Sequence, residues 1–284
     1  MSQIPTSGGS TPAGAYVLGH SEKELARLGT QARLIDPMTR RFFREAGITP
    51  GMRVLDVGSG AGHVAVLAAE LVGEKGEVLG VDRSAAALAA ARALVEARSL
   101  RHVSFREGDL TEMGFERPFD AILGRYVLMF QRDPVAMLRK LAVHARPGAV
   151  IVFHEPDWDG VRSSPPAPIY DRSCQWIVES VKRSGAEKNM GAKLYSTFVA
   201  AGLPPPTMRL EAAIGGPTDL EPLVLIADIV GTILPAMEKF GIATAAEVGP
   251  ETLTDRMCAE AAANGSVVFG RSEIGAWSRL PESR

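Results

Sequence analysis

The stretch Val54-Leu55-Asp56-Val57-Gly58-Ser59-Gly60-Ala61-Gly62 decides how the rest of this chain is read. A β-branched, apolar run stops at a cluster of glycines, and an alanine-rich helical stretch begins straight after it. That is a strand, a tight turn and a helix N-terminus, where backbone N–H groups can face a nucleotide-like ligand. Outward from it the pattern alternates. Short strands rich in Val, Ile and Leu are expected at 53–57, 77–81, 102–106, 120–123 and 149–154, with helices between them at 61–71, 85–97 and 134–145. Asp133 before Pro134 supplies an N-cap followed by proline at the first helical position. Strands this apolar fit a parallel sheet covered on both faces. Right-handed crossovers then give an α/β, doubly wound, Rossmann-like and mostly parallel sheet, with a ligand crevice at the C-terminal ends of its strands.

The flanks divide the chain further. Residues 1–15 are rich in Ser, Gly, Thr and Pro and are expected to be a disordered tail. Residues 16–48 read as N-terminal lid helices. Ser21 with Glu24 forms a capping box, Leu25 and Leu28 share a face, and a second helix from about 37 to 46 carries Met38, Phe42 and Phe43. The sheet core is placed at 49–214, with a further helix at 170–184 and a strand at 207–212. A helical cap insert follows at 215–264, with Leu223, Ile226, Val230, Ile233 and Met237 at helical spacing and another helix near 251–262. That stripe fits either core packing or the lining of a substrate pocket. A final strand in 265–284, an edge strand at 266–276, returns to the sheet.

With 31 basic and 33 acidic residues among 284, the formal charge is −2 and no basic block marks a nucleic-acid footprint. Cys174 and Cys258 lie far apart without metal-ligand spacing, and read as free thiols in a reducing compartment. The N-terminus lacks a basic region followed by an apolar stretch, and the longest apolar patch, around Leu223 to Leu234, is interrupted by Asp228. The expectation is a cytoplasmic protein, monomer or homodimer, acting on a small molecule away from membranes and nucleic acid.

Two ligand classes compete for the turn. A dinucleotide fingerprint would space its glycines G-x-G-x-x-G, whereas here Gly62 comes one position early and His63 takes the fingerprint position. Asp56 precedes the first glycine, where a carboxylate repels pyrophosphate but suits a cationic amine and a sulfonium. Asp82 ends the second strand, where an acid can accept from ribose hydroxyls. Gly108-Asp109-Leu110 follows the third, where a carboxylate can accept from an adenine amino group.

Val54 to Gly62, with Asp82, Asp109 and Phe119-Asp120-Ala121-Ile122-Leu123, resembles a class I S-adenosylmethionine (SAM)-dependent methyltransferase, in the small-molecule branch that resembles ubiquinone/menaquinone-type enzymes. The resemblance covers residues 50–157 well and the 215–264 insert least. It implies S-adenosyl-L-methionine as cofactor, with Gly58, Ser59 and Gly60 admitting its methionine end and Asp56 acting on the amino group through the turn. It further implies Asp82 on the ribose, Asp109 and Leu110 after Gly108 at the adenine, Arg83 packed on the adenosine, and the backbone near Arg125 beside the methionine. Tyr16 and His63 join them as cofactor contacts.

Methyl transfer from a sulfonium is an in-line displacement, so the protein chiefly supplies position, and a base only where the acceptor must lose a proton. His154, expected to end the fifth strand at the crevice rim before Glu155-Pro156-Asp157-Trp158, is the first candidate base, and His20 on the lid the second. Glu155, Asp157 and Asp159 alternate, but without a further clustered ligand they read as a solvated loop and not a metal site. The alternatives to methyl transfer are a non-catalytic SAM-binding module and an NAD(P)-dependent oxidoreductase.

Overall fold

A computed structural model describes residues 22–110 and 112–282 of the chain, with side chains from Gln31 onward. Residues 1–21, and with them the tail, Tyr16, His20 and Ser21, lie outside the described residues, as do the side chains of Glu24, Leu25 and Leu28. β1 (Arg53–Val57) is buried over Val54–Val57 and so takes the middle of the sheet. It pairs in parallel with β2 (Glu77–Asp82) on one side and β4 (Phe119–Arg125) on the other. β3 (Val103–Glu107) lies beyond β2, and β5 (Ala145–Asp157) beyond β4. The chain therefore reverses direction of growth beside β1, and the crevice at such a reversal opens at the strands' C-terminal ends.

The period of two along each strand divides the core between the two faces. Leu55, Val57, Ile122, Ile151 and Phe153 join one apolar cluster with α4 (Pro134–Ala142) and, later in the chain, α6 (Met190–Ala200). Val54, Ala121, Leu123, Val150 and Val152 join another with α2 (His63–Val72) and Val95 of α3 (Ala85–Ala97). Ser84 and Asp133 cap α3 and α4, each side chain accepting from the backbone three residues on.

Three elements differ from the sequence reading. Where two helices were expected before the sheet, α1 (Glu22–Ala46) runs unbroken through Pro37. Pro37 is exposed, and the buried face of Ile35, Met38 and Phe42 continues past it, so packing outweighs the lost backbone hydrogen bond. The last strand, β8 (Val267–Arg279), is no edge: it pairs antiparallel with β5 on one side and with β7 (Thr207–Gly215) on the other, leaving β7 outermost. β5 consequently continues past its expected end, since Asp157 still pairs with Ser272. A short β6 (Arg162–Ser164) resumes that line against Val267–Phe269 of β8.

Between β7 and β8 come α7 (Glu221–Lys239), α8 (Ala245–Val248) and α9 (Leu253–Asn264). They share an apolar cluster with α5 (Pro168–Arg183), which the sequence reading had assigned to the sheet core. Tyr170, Cys174 and Ile177 of α5 meet Leu223, Val230 and Met237 of α7 there. Among the described residues no helix is long and apolar enough to cross a membrane.

Candidate active site

The turn after β1 is left-handed at Gly58, Gly60 and Gly62, with φ of 63°, 50° and 84°. Gly60 has nothing within 4 Å of where a Cβ would lie, so a ligand can approach its backbone closely. Gly62 is different: a Cβ there would lie 3.0 Å from Cβ of Ala91 and 3.2 Å from the Phe105 ring. Its early position answers to packing against α3 and β3, which removes it as an argument about the ligand. Asp82 is held by the same turn, accepting from the Gly60 amide at 2.9 Å and the Ser84 amide at 2.8 Å.

A cavity of about 690 Å³ opens at the C-terminal ends of β1, β2 and β4. It gathers Gly58, Ser59, Gly60, His63, Asp82, Arg83, Gly108, Asp109, Leu110 and Arg125, residues spread over much of the sequence. Arg83 and Asp109, read as separate adenosine contacts, pair with each other at 2.5 Å. The Arg125 side chain points to α1, donating to Asp36 at 2.7 Å and Thr39 Oγ1 at 2.9 Å. The far wall is apolar, with Met129, Trp158, Ile177, Val181, Ile229 and Ile233. Of the five stripe residues on α7, Ile233 reaches this wall, while Leu223, Ile226, Val230 and Met237 pack behind it.

Two predicted site residues do not line the cavity. Asp56 is 1% exposed beneath the turn. Neither of its oxygens has a hydrogen-bond partner; the nearby Ala65 amide eases this only in part. Burial pushes its pKa well above the usual carboxylate range, against the field of Arg125.

His154 is the clearer correction. It is fully buried in mid-strand, paired with Arg125 on β4 and Gly275 on β8, because β8 carries the sheet beyond it. Its Nε2 meets Glu273 at 2.8 Å and its Nδ1 meets Thr39 Oγ1 at 3.0 Å. Burial lowers its pKa despite the Glu273 carboxylate, and the ring is held between Glu273 and the Thr39 hydroxyl, which also donates to the Ile35 carbonyl at 3.1 Å. The ring ties α1 to β8 and is not placed to take a proton from a molecule in the cavity.

The acidic run after His154 is also occupied. Glu155 accepts from the amides of Val127, Leu128 and Met129, holding the loop after β4, although burial pushes its pKa up to about 8. Asp159 pairs with Lys188 and Asn189. Among the described residues no group of three or more His, Cys, Asp or Glu could hold a metal ion.

Sequence reasoning missed Gln31, Tyr126 and Arg271, all of which line the cavity. Arg271 left the one legible signal, a cation two residues before the carboxylate of Glu273 inside a final strand rich in β-branched and aromatic residues.

A family model described as a methyltransferase domain matches residues 48–202, more than half of the chain. The chain belongs to the methyltransferase domain family. Aklanonic acid methyltransferase DauC from Streptomyces sp. (strain C5) is 36% identical over 131 residues, which are 46% of this chain and 59% of that protein. A 2-phytyl-1,4-naphtoquinone methyltransferase from Synechococcus elongatus is 39% identical over 113 residues, 38% of this chain and 48% of that one. The chain thus spans about half the length of these curated relatives. In fold it is similar to Haemonchus contortus phosphoethanolamine N-methyltransferase 2 solved with S-adenosyl-L-methionine, at a TM-score of 0.54 and 19% identity over 87% of this chain and 53% of that chain. The methyltransferase match stops before β7, so α7–α9 and β8 lie beyond it.

SAM, the cofactor of such methyltransferases, fits what this site offers. The open approach over Gly60 suits the methionine end, and the orphaned carboxylate of Asp56 suits a cation above the turn. Asp82 keeps acceptor capacity beyond its two backbone bonds, which suits ribose hydroxyls, and Leu110 beside Asp109 gives the wall an apolar surface that suits a purine ring.

Proposed function

We propose that this chain transfers a methyl group from SAM to a small, partly apolar metabolite. The observation that carries the proposal is the single cavity in which the glycine turn, Asp82 and Asp109 face an apolar wall drawn from α5 and α7. When bound, SAM supplies an activated methyl group on a sulfonium, displaced in line by the acceptor. The chain's own contribution is position. The backbone at Gly58–Gly60 and the carboxylate of Asp82 fix one end of the cavity, with Asp56 acting on a cationic amine from beneath. Glu155, through three backbone amides, fixes the Val127–Met129 loop between the two halves. Ile177, Val181, Ile229 and Ile233 exclude water and hold the acceptor's apolar body. Residues 215–264, with α5, serve as the cap over the acceptor.

Calorimetry with SAM and with its demethylated product, S-adenosylhomocysteine, tests the reading directly. Both are expected to bind, and Asp82→Ala is expected to weaken both at least ~10-fold, about 1.4 kcal/mol. If neither binds, the proposal fails; if they bind but Asp82→Ala changes nothing, the ribose assignment fails.

The sealing of His154 within the sheet favours a second reading, a SAM-binding protein without turnover. Incubation with methyl-labelled SAM and a metabolite extract separates the two: a labelled small molecule supports transfer, and its absence with SAM bound supports the second.

A further inference from the structure

Arg271 sits where the strand ladder is interrupted. Ser272 still pairs with Asp157 of β5 and Phe269 already pairs with Arg162 of β6, while the turn from Trp158 bridges the gap. A long side chain at that gap can leave the sheet and reach the cavity, and Arg271 does so with 11% of its side chain exposed. Its guanidinium is fixed on two of its edges. Nε donates to Glu273 Oε1 at 2.8 Å, and Nη2 donates to the Tyr126 hydroxyl at 2.9 Å. Tyr126 in turn donates to Glu273 Oε2 at 2.7 Å, the oxygen that also accepts from His154. The planar group lies 5.0 Å from the Tyr126 ring centre and 5.2 Å from that of Trp158. Among the described residues Nη1 makes no hydrogen bond.

We infer that Arg271 is the specificity-determining residue of the acceptor half, and that the acceptor is an apolar, planar molecule carrying a carboxylate, which Nη1 binds between Tyr126 and Trp158. The inference rests on the methyl-transfer reading of the cavity and names its substrate class. A mostly apolar pocket takes its selectivity from the few polar groups it places, and Arg271 is the cation on that apolar wall. The other arginines on the cavity are engaged elsewhere, Arg83 with Asp109 and Arg125 with Asp36. One donor edge suits a monoanion; a phosphate dianion would need further cations. Glu273 meets the guanidinium through Nε alone, its other oxygen accepting from Tyr126 and His154. Its role is to hold the guanidinium in one orientation, so that little side-chain freedom is lost when a ligand binds.

The test uses 2-naphthoate, 2-naphthalenemethanol and 2-naphthyl phosphate, titrated calorimetrically into the whole protein with and without saturating S-adenosylhomocysteine. Naphthoate is expected to bind at least tenfold more tightly than the alcohol, and more tightly than the phosphate. Arg271→Lys keeps a cation beside Glu273 but lacks the planar fork; it should shrink the preference for naphthoate over the alcohol to within about threefold. Tyr126→Phe, which frees Nη2, provides a second variant should the first fail to fold, and should reduce the same preference. Equal binding of naphthoate and alcohol, no naphthoate binding, an unchanged preference in both variants, or tighter phosphate binding would overturn the inference. Failure of S-adenosylhomocysteine to bind would instead count against the methyl-transfer reading, and the naphthoate preference would still be read from the titrations without it.

Discussion

At the scale of single residues, Asp56 and His154 each predict a distinct pH signature. With its pKa raised by burial, Asp56 holds a proton at pH values where an ordinary carboxylate has lost it. A cationic amine seated above the turn would favour the ionised form, so cofactor binding should release a proton and tighten as pH rises. Calorimetry at pH 6 in buffers of different ionisation enthalpy should show this release, and Asp56→Asn should abolish it and weaken binding by roughly tenfold. No proton release from the wild-type protein would sink the assignment. For His154 the sign is set by its lowered pKa. The folded ring binds a proton less readily than the unfolded ring, which titrates near 6.5, so its stabilisation is complete above that value and is lost as pH falls below it. Glu155, raised to about 8, acts oppositely across the same window but is common to wild type and variant. The excess of wild-type Tm over that of His154→Gln, which includes about 1–3 kcal/mol from the buried bonds, should therefore shrink as pH falls from 7 to 5.5. Parallel curves would refute the structural role. The place of Asp82 and Asp109 at the cavity was legible because a strand's end is visible in sequence. His154 was misplaced because the strand's true end depends on β8, which arrives more than a hundred residues later and carries pairing on to Asp157.

At the scale of elements, α7 shows why the apolar stripe was ambiguous. A helix with apolar residues on more than one face can pack its back on a core and turn another side to a ligand. Leu223 and Val230 are fully buried in the cluster shared with α5 and α9, whereas Ile229 and Ile233 reach the cavity. The same helix should thus give two kinds of mutant. Leu223→Ala should cost about 2–5 kcal/mol of stability, read by denaturant melts, with little selective effect on any ligand. The double change Ile229→Ala with Ile233→Ala should leave S-adenosylhomocysteine affinity within about twofold, while raising KM for the acceptor at least fivefold. An equal loss for cofactor and acceptor would show that α7 does not belong to the acceptor side. The joining of α1 across Pro37 has the same physical origin. Proline is a strong local signal for a break, but Ile35, Met38 and Phe42 keep one buried face on both sides of it. Only the packed structure reveals what this face meets, Tyr126, Ala213 and Trp277, with Phe42 filling the space above Gly275 of β8.

At the scale of the molecule, the parts that were readable and the parts that were not fall on opposite sides of the cavity. β1 to β5 repeat a local unit whose strands, turns and caps are written in consecutive residues, and the methyltransferase domain match covers them from residue 48. The apolar side of the cavity is assembled from Trp158, α5 and α7, with Arg271 beside them, segments whose proximity exists only after folding. The apolar cluster under that side is separate from the two that flank the parallel strands, and it holds α5, α7, α8 and α9 together around Tyr170, Val230 and Met257. A molecule with distinct cores is expected to open in distinct units, the less deeply seated one first. Hydrogen exchange on the intact protein should accordingly show the amides of α7 and α9 exchanging together, ahead of those of β1 and β4. Adding S-adenosylhomocysteine should slow exchange most at the turn after β1 and at the end of β2. It should leave α9 nearly unchanged, since α9 lies behind the wall and not on it. If α9 gained as much protection as the turn, or if all segments opened in one cooperative step, the cap and the sheet would be a single unit, and its cavity could not be divided between a donor side built locally and an acceptor side built at long range.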